Sequence, residues 1–150
     1  VEGIEWIRLM YLYPMYIDDA LLETMAKSPK ILTYADIPLQ HVSDQVLKRM
    51  ARRVTRRETE QILHELRKRI PDLVLRTTLV TGFPGETDED FADTVSLIES
   101  LPFTYLHVFA FSPRAGTAAA EMDVAPGREM FAIFKSSALR PIPGRAKESS

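Results

Sequence analysis

The stretch that decides the fold is Arg76-Thr77-Thr78-Leu79-Val80-Thr81-Gly82-Phe83-Pro84-Gly85-Glu86-Thr87. Its first half is rich in β-branched residues and predicts a buried strand. The strand breaks at Gly82, turns through Pro84 and Gly85, and leads into a helix with an acidic first turn. Because α/β folds bind ligands at the carboxyl edge of parallel strands, this stretch predicts a ligand-binding edge. A well-capped strand-to-helix turn that binds nothing fits the same residues about equally well.

Strands and helices alternate along the rest of the chain. Strands are predicted at residues 6–12, 35–40, 73–80 and 105–111, and helices at 18–27, 43–50, 55–70 and 87–101. This order implies a parallel sheet with right-handed crossovers. We therefore expect an α/β fold of about four parallel strands with outer helices, which describes part of a (β/α) barrel as well as a small open sheet. A helical turn at 118–122, a helix at 128–139 and a flexible tail at 140–150 follow.

The composition limits the classes of function. The 150 residues are 45% hydrophobic and 27% charged, as in soluble globular proteins, and the net charge of −2 gives no general attraction to nucleic acid or membranes. The chain contains no cysteine, so it has no disulfide, no thiolate nucleophile and no cysteine ligand for a metal or an iron–sulfur cluster. It begins at Val1 without a secretory signal, and we expect a cytoplasmic protein without a membrane partner.

Three histidines are candidates for chemistry. His41 follows Gln40 at the end of the second predicted strand, where it could bind a ligand or act as a general base. A loop histidine satisfied by the backbone is the somewhat favoured alternative. His107 is either a polar group of a barrel interior or a packed core residue, and His64 is expected on an exposed helix face. Their spacing predicts no metal site.

Arg76 is the most informative charged residue. Strand alternation places Arg76, Thr78 and Val80 on one face of the strand. A charge in a strand that is covered on both sides needs a partner, either a protein carboxylate or an anionic ligand. Asp36, on the neighbouring predicted strand, is the expected protein partner.

Six cations fall within ten residues, and they predict either an RNA- or ribosome-facing patch or a solvated helical surface. The patch consists of Lys48, Arg49, Arg52, Arg53, Arg56 and Arg57. The solvated surface is favoured because Glu58, Glu60 and Glu65 follow closely and few aromatic residues interleave the cations.

Several segments together resemble the radical-SAM methylthiotransferases, in order and at that family's spacing. They are residues 6–14, 36–44, 46–50, 75–87, 89–91 and 111–117, so that the resemblance spans roughly Ile4 to Met122. The segments 10–14 and 37–41 are most similar to the branch that methylthiolates an aspartate of ribosomal protein S twelve. Residues 106–114 are closer to the branches that modify a tRNA adenosine. The ribosomal-protein branch is favoured.

The resemblance implies a partial (β/α) barrel, with residues 1–122 supplying strands three to six and residues 123–150 forming a divergent, flexible tail. It also implies a SAM-facing edge. The residues at its matching positions are Gln40, His41, Arg76, Thr78, Gly82, Phe83, Pro84, Gly85, Glu86, Phe109 and Ser112. Members of the family use SAM, [4Fe–4S] clusters and an electron donor protein, and their substrates are ribosomal protein S twelve or tRNA.

The cysteines that hold those clusters are absent from this chain. We therefore expect a truncated piece of such an enzyme, inactive by itself and prone to self-association through unpaired strand edges. Two alternatives remain open, a non-catalytic α/β module that docks on RNA or the ribosome, and a gene remnant without function.

Overall fold

A computed structural model describes residues 2–101 and 103–122. The strands are β1 (Ile7–Leu9), β2 (Ile31–Asp36), β3 (Val74–Thr81) and β4 (Tyr105–Ala110). The helices are α1 (Asp19–Lys27), α2 (Asp44–Arg49), α3 (Arg56–Arg69), α4 (Asp88–Ser100) and α5 (Ala118–Glu121), with a 3₁₀ turn at Pro14–Tyr16. The helix predicted at 128–139 and the tail predicted at 123–150 lie outside the described residues.

The four strands form one parallel sheet in the order β1-β2-β3-β4. In the register between β2 and β3, Asp36 lies opposite Arg76, and between β3 and β4, Val80 lies opposite Phe109. Each strand is followed along the chain by at least one helix. The predicted fold class, a run of parallel strands with flanking helices, is confirmed.

The two faces of the sheet differ in burial. Leu75, Thr77 and Leu79 of β3 are buried, whereas the alternate residues Arg76 and Thr78 are partly exposed. The buried face packs on helices α1, α3 and α4 through a core that includes Met25, Leu63, Leu66, Leu97 and Leu101. The opposite face, which we call the inner face, is therefore the one available to a ligand or to further chain.

The helix starts are fixed by capping side chains. Thr55 and Glu58 form a complete capping box at α3, as Thr87 and Asp90 do at α4. Asp18 accepts a hydrogen bond from the Leu21 N–H at the start of α1 (2.8 Å). These bonds satisfy amide groups that a helix start leaves without intrahelical partners.

The position of the second strand was predicted wrongly. It spans Ile31–Asp36 and not residues 35–40, and pairing with β3 resumes only as an isolated bridge between Gln40 and Leu79. Pro38 explains the interruption, because proline has no N–H to donate to a ladder. The first strand is also shorter than predicted, since regular pairing is limited to Ile7–Leu9.

Candidate functional site

The carboxyl ends of β2, β3 and β4 meet at one edge of the sheet, and Gln40 is fixed at its centre. Its N–H donates to the Thr78 carbonyl (2.8 Å), and its own carbonyl accepts from the Val80 N–H (2.7 Å). Its φ of 70° lies in the left-handed region, which costs a non-glycine residue about 1–3 kcal/mol. The two backbone hydrogen bonds to β3 therefore hold Gln40 in a conformation that is unfavourable for an isolated glutamine.

A cavity of about 380 Å³ opens at this edge. Its walls are mostly apolar, and two arginines are among the residues that line it. The lining residues are Gln40, Arg49, Met50, Ala51, Arg52, Val80, Phe83, Phe111, Ala118 and Ala119. A pocket of this size and character is suited to a small molecule with a flat apolar part and a few polar groups.

The turn that follows β3 uses its own amide groups internally. Glu86 is buried, and its Oε2 atom accepts hydrogen bonds from the backbone N–H groups of Gly82 and Phe83 (3.1 Å for Phe83). Gly82 and Gly85 have positive φ values of 73° and 78°. Because Glu86 occupies these two N–H groups, the turn cannot use them to bind a phosphate, and it faces the cavity through the side chain of Phe83.

The structure places His41 beneath the edge and not in the open cavity. Its side chain is 1% exposed, its Nδ1 accepts a hydrogen bond from the Ser43 N–H (3.0 Å), and its Nε2 lies 3.1 Å from Glu86 Oε1. Of the residues predicted for this edge, Gln40 and Phe83 line the cavity and Glu86 supports the turn. Pro84 is buried in the same turn.

Arg76 and Thr78 lie on the inner face, farther from the edge. Arg76 Nη1 contacts the fully buried Asp36 Oδ1 at 2.7 Å, which confirms the predicted partner. Val80 lies four positions after Arg76, a distance of about 13 Å along a strand. The structure therefore brings Thr78 close to the edge, where it contacts Gln40 through the backbone, and leaves Arg76 deep in the sheet.

The residues at the end of β4 differ in their position relative to the cavity. Phe109 is 55% exposed on the inner face, with its ring 6.0 Å from that of His107, and Ser112 is exposed in the following loop. Phe111 was not among the predicted site residues, yet it lines the cavity and meets the Phe83 ring edge-on at 5.1 Å. The alternation of Tyr105, His107 and Phe109 extends to Phe111 and would have identified it.

The six cations of the predicted patch fall into two groups. Arg49, Arg52 and Arg56 engage other parts of the molecule: Arg49 donates to the Gly85 carbonyl, Arg52 to the Pro38 carbonyl (2.8 Å), and Arg56 pairs with Glu60 and Asp93. Burial lowers the pKa of Arg52, an effect only partly opposed by Tyr13. The side chains of Lys48, Arg53 and Arg57 are exposed.

Within residues 2–101 and 103–122, no group of three histidine, aspartate, glutamate or cysteine side chains is arranged to hold a metal ion. None of the helices in these same ranges is long and apolar enough to cross a bilayer.

Comparison with known families identifies the fold's relatives. Residues 2–98 match the radical SAM superfamily. The chain belongs to the radical SAM superfamily. The match covers β1 to most of α4, and so includes Gln40, the turn after β3 and the buried His41–Glu86 pair.

Curated relatives refine this assignment. The chain is 50% identical over 123 residues to the ribosomal protein uS12 methylthiotransferase of Desulfitobacterium hafniense, covering 82% of this chain and 28% of the relative. It is 48% identical over 122 residues to the protein of the same name from Geobacter sulfurreducens, covering 81% and 27%. The predicted family and its ribosomal-protein branch are thereby supported. The chain spans little more than a quarter of the length of these relatives.

Solved structures agree on the fold. Coproporphyrinogen III oxidase from Escherichia coli, a radical SAM enzyme, superposes with a TM-score of 0.64 at 19% identity, covering 92% of this chain and 28% of the oxidase. The radical SAM methyltransferase TsrM from Kitasatospora setae gives 0.56 at 20% identity, covering 69% and 20%. At such identities the likeness concerns the fold alone, and it agrees with the predicted barrel-type arrangement of strands.

Proposed function

We propose that this chain forms part of the barrel of a ribosomal protein uS12 methylthiotransferase and contributes one side of its SAM site. The observation that carries the proposal is the identity of 45–50% to enzymes of that name over a stretch that contains the whole carboxyl edge of the sheet. Residues 1–122 would constitute the barrel part, and the edge cavity would be the SAM side of the site.

The residues at the cavity suit SAM in size and chemistry. The rings of Phe83 and Phe111 and the side chain of Val80 offer an apolar wall for a flat base. The side-chain amide of Gln40 can donate and accept hydrogen bonds at the rim. The role of the edge would be to bind and orient SAM and to exclude water from it, since the residues present include no nucleophile suited to covalent chemistry.

A [4Fe–4S] cluster does not fit the residues of this chain. Such clusters are held by cysteine thiolates, and the sequence has none. The ligands would have to come from a different polypeptide segment, so we derive no step through the cluster. When SAM is bound to a reduced cluster, it supplies the radical chemistry that removes hydrogen from an unactivated carbon.

The substrate of the complete enzyme would be an aspartate of ribosomal protein S twelve, the reaction being insertion of sulfur and a methyl group at a C–H bond. A tRNA adenosine is the alternative substrate, since residues 106–114 resemble the tRNA-modifying branches. An electron donor protein would act as partner, in the cytoplasm. The chain by itself would be inactive and would associate through the unpaired edges of β1 and β4.

A second candidate from a different class rests on the exposed cations Lys48, Arg53 and Arg57. A non-catalytic module would use them to dock on RNA or a ribosomal surface. Binding of RNA to the chain would then weaken steeply with salt and fall on charge reversal, as in Arg53→Glu. Arg52→Glu would be less informative, because Arg52 also supports the Pro38 carbonyl.

The enzyme proposal is tested in a chimera, in which residues 2–122 replace the corresponding segment of the Desulfitobacterium hafniense relative. The reconstituted chimera is incubated with SAM, reductant, sulfide and ribosomes, and uS12 and tRNA are analysed by mass spectrometry. We expect one methylthio group on an aspartate of uS12. Modified tRNA with unmodified uS12 would favour the alternative substrate, and a folded, cluster-loaded chimera that modifies neither would contradict the proposal.

A further inference from the structure

The buried pair His41 and Glu86 links the loop after β2 to the turn after β3. The exposed fractions of the two side chains are 1% and 6%. The Ser43 N–H donates to His41 Nδ1 at 3.0 Å, so this nitrogen carries no proton. A neutral imidazole must then carry its proton on Nε2, the nitrogen that faces Glu86.

The contact continues from His41 into the turn. His41 Nε2 and Glu86 Oε1 are 3.1 Å apart, although the N–H is not well aligned with the oxygen. Both atoms are inaccessible to water. The other carboxylate oxygen accepts the Gly82 and Phe83 N–H groups. A continuous series of polar contacts therefore runs from Ser43 to the backbone of the turn.

We propose that His41 is a positioning residue, which as the neutral Nε2–H tautomer sets the position of the Gly82–Glu86 turn through Glu86. The consequence for the site is the placement of Phe83, which is 7% exposed and forms the cavity wall together with Phe111. An effect of His41 on SAM binding rests on the proposed function, whereas the contact between His41 and Glu86 does not.

Two further contacts join the same two segments. Arg49 of α2 donates to the Gly85 carbonyl, and Asp90 of α4 accepts a hydrogen bond from the Ser43 side chain. Glu86, Asp90 and Arg49 are therefore the charged groups around the imidazole. Burying such groups is costly, and an apolar pair of the same size would avoid that cost. The polar contacts instead specify one relative position of the two loops.

Two substitutions test the two polar contacts of the His41 imidazole one at a time. In His41→Gln the side-chain amide can occupy the place of Nε2 and donate to Glu86, but the acceptor for the Ser43 N–H is lost. In His41→Asn the side-chain oxygen can replace Nδ1 and accept from Ser43, but the donor no longer reaches Glu86. His64→Gln and His64→Asn, at an exposed position of α3, are the matched controls.

The readouts in the 150-residue chain are the imidazole tautomer, from ¹⁵N NMR spectra, and hydrogen exchange of the Gly82 and Phe83 amides. We expect the Nε2–H tautomer in the unsubstituted chain. In His41→Asn, exchange at both amides should accelerate by about tenfold or more, whereas His41→Gln should stay within about threefold of the unsubstituted rate. The His64 variants should change neither amide.

An Nδ1–H tautomer would overturn the proposal, as would slow exchange in His41→Asn with fast exchange in His41→Gln, which indicates a purely local role at Ser43. If neither His41 variant folds, Glu86→Gln replaces them, because its amide would oppose the Nε2–H group. Unchanged exchange at Gly82 and Phe83 in that variant would also overturn the proposal.

In the chimera, SAM affinity should fall by about tenfold in His41→Asn and be retained in His41→Gln. A chimera that binds no SAM even without substitution contradicts the proposed function, while the tautomer and exchange results still decide the role of His41. Equal SAM affinity in the unsubstituted, Asn and Gln forms would contradict the connection between His41 and the cavity wall.

Discussion

Arg76 Nη1 lies 2.7 Å from Asp36 Oδ1, and this ion pair joins the inner faces of β2 and β3 at a carboxylate with no exposed surface. The same carboxylate is 3.4 Å from the Tyr11 N–H, which belongs to the loop after β1. One buried charge therefore connects three consecutive parallel segments. The removal of its partner would leave that charge uncompensated.

We predict that Arg76→Met lowers the free energy of unfolding by about 3–5 kcal/mol, the usual cost of breaking a buried ion pair. The double variant Asp36→Leu/Arg76→Met should recover much of this loss, because no unpaired charge remains. Urea unfolding of the chain measures both values. Arg57→Met, at an exposed position, is the control, and an equal effect of the two single substitutions would show that the pair contributes nothing special.

Alanine substitutions at Gly85 and Gly116 distinguish the cost of a positive φ from the cost of a clash with a neighbouring side chain. Both have positive φ, 78° and 79°, but a Cβ at Gly85 would lie 2.1 Å from Arg49 Nη1, whereas none of the described atoms lies within 4 Å of a Cβ at Gly116. Gly116→Ala should cost about 1–2 kcal/mol from conformation alone. Gly85→Ala should cost somewhat more, because the flexible guanidinium of Arg49 has to move away and its hydrogen bond to the Gly85 carbonyl is lost.

Urea unfolding gives both costs, and Gly85→Ala in an Arg49→Ala background tests the crowding. There the cost of the glycine substitution should fall to that of Gly116→Ala. Equal costs at the two glycines in the unsubstituted background would mean that Arg49 does not pack on Gly85.

The capping boxes should contribute measurably to stability. Thr55→Ala and Thr87→Ala each remove a side chain that accepts a hydrogen bond at a helix start, and we expect each to lower the free energy of unfolding by about 1 kcal/mol. Chemical denaturation is the measurement. Ser96→Ala, at an exposed position inside α4, should change the stability little, and a similar loss there would argue against capping as the cause.

The lowered pKa of Asp90 predicts that the free energy of unfolding decreases in acid. Burial raises the pKa of this carboxyl, but hydrogen bonds from Ser43 and Thr87 outweigh burial and bring the pKa below its ordinary value of 3.8. Folding therefore favours the ionised form. The resulting stabilisation is present above pH 3.8 and is lost as the pH falls through the lower pKa of the folded state.

The test compares the chain with Asp90→Asn by denaturant unfolding at neutral pH and at about pH 2.5. The substitution should destabilise the chain at neutral pH, and the difference should shrink in acid. A difference that stays constant or grows in acid would show that the pKa of Asp90 is not lowered by folding.

The sequence predicted those features that depend on local periodicity. Alternation along β3 placed Arg76 and Thr78 on one face, and the order of strands identified Asp36 as the partner of Arg76, as the structure confirms. Capping at Thr55 and Thr87 is local in the same sense, because the interacting residues are three positions apart. The family was recognised from several short segments in the correct order.

The features that were not predicted depend on contacts between loops. His41 contacts Glu86, which is 45 positions away in the sequence, and Arg49 contacts Gly85, which is 36 positions away. No periodic pattern relates residues at such separations. The positive φ of Gln40 follows from backbone bonds to Thr78 and Val80, and its sequence neighbours give no sign of it. Pro38 lacks the N–H that a ladder needs, but only the structure shows that regular pairing ends at Asp36.

The most direct test of the central claim, that the edge cavity is one side of a SAM site, is SAM titration of the chimera with a substitution that fills the cavity. Val80→Trp places a large ring in the cavity, while Val74→Trp changes the same face at the opposite end of β3. With folding and iron content matched, we predict that Val80→Trp abolishes measurable SAM binding and that Val74→Trp retains it. Unchanged SAM affinity in Val80→Trp would contradict the claim.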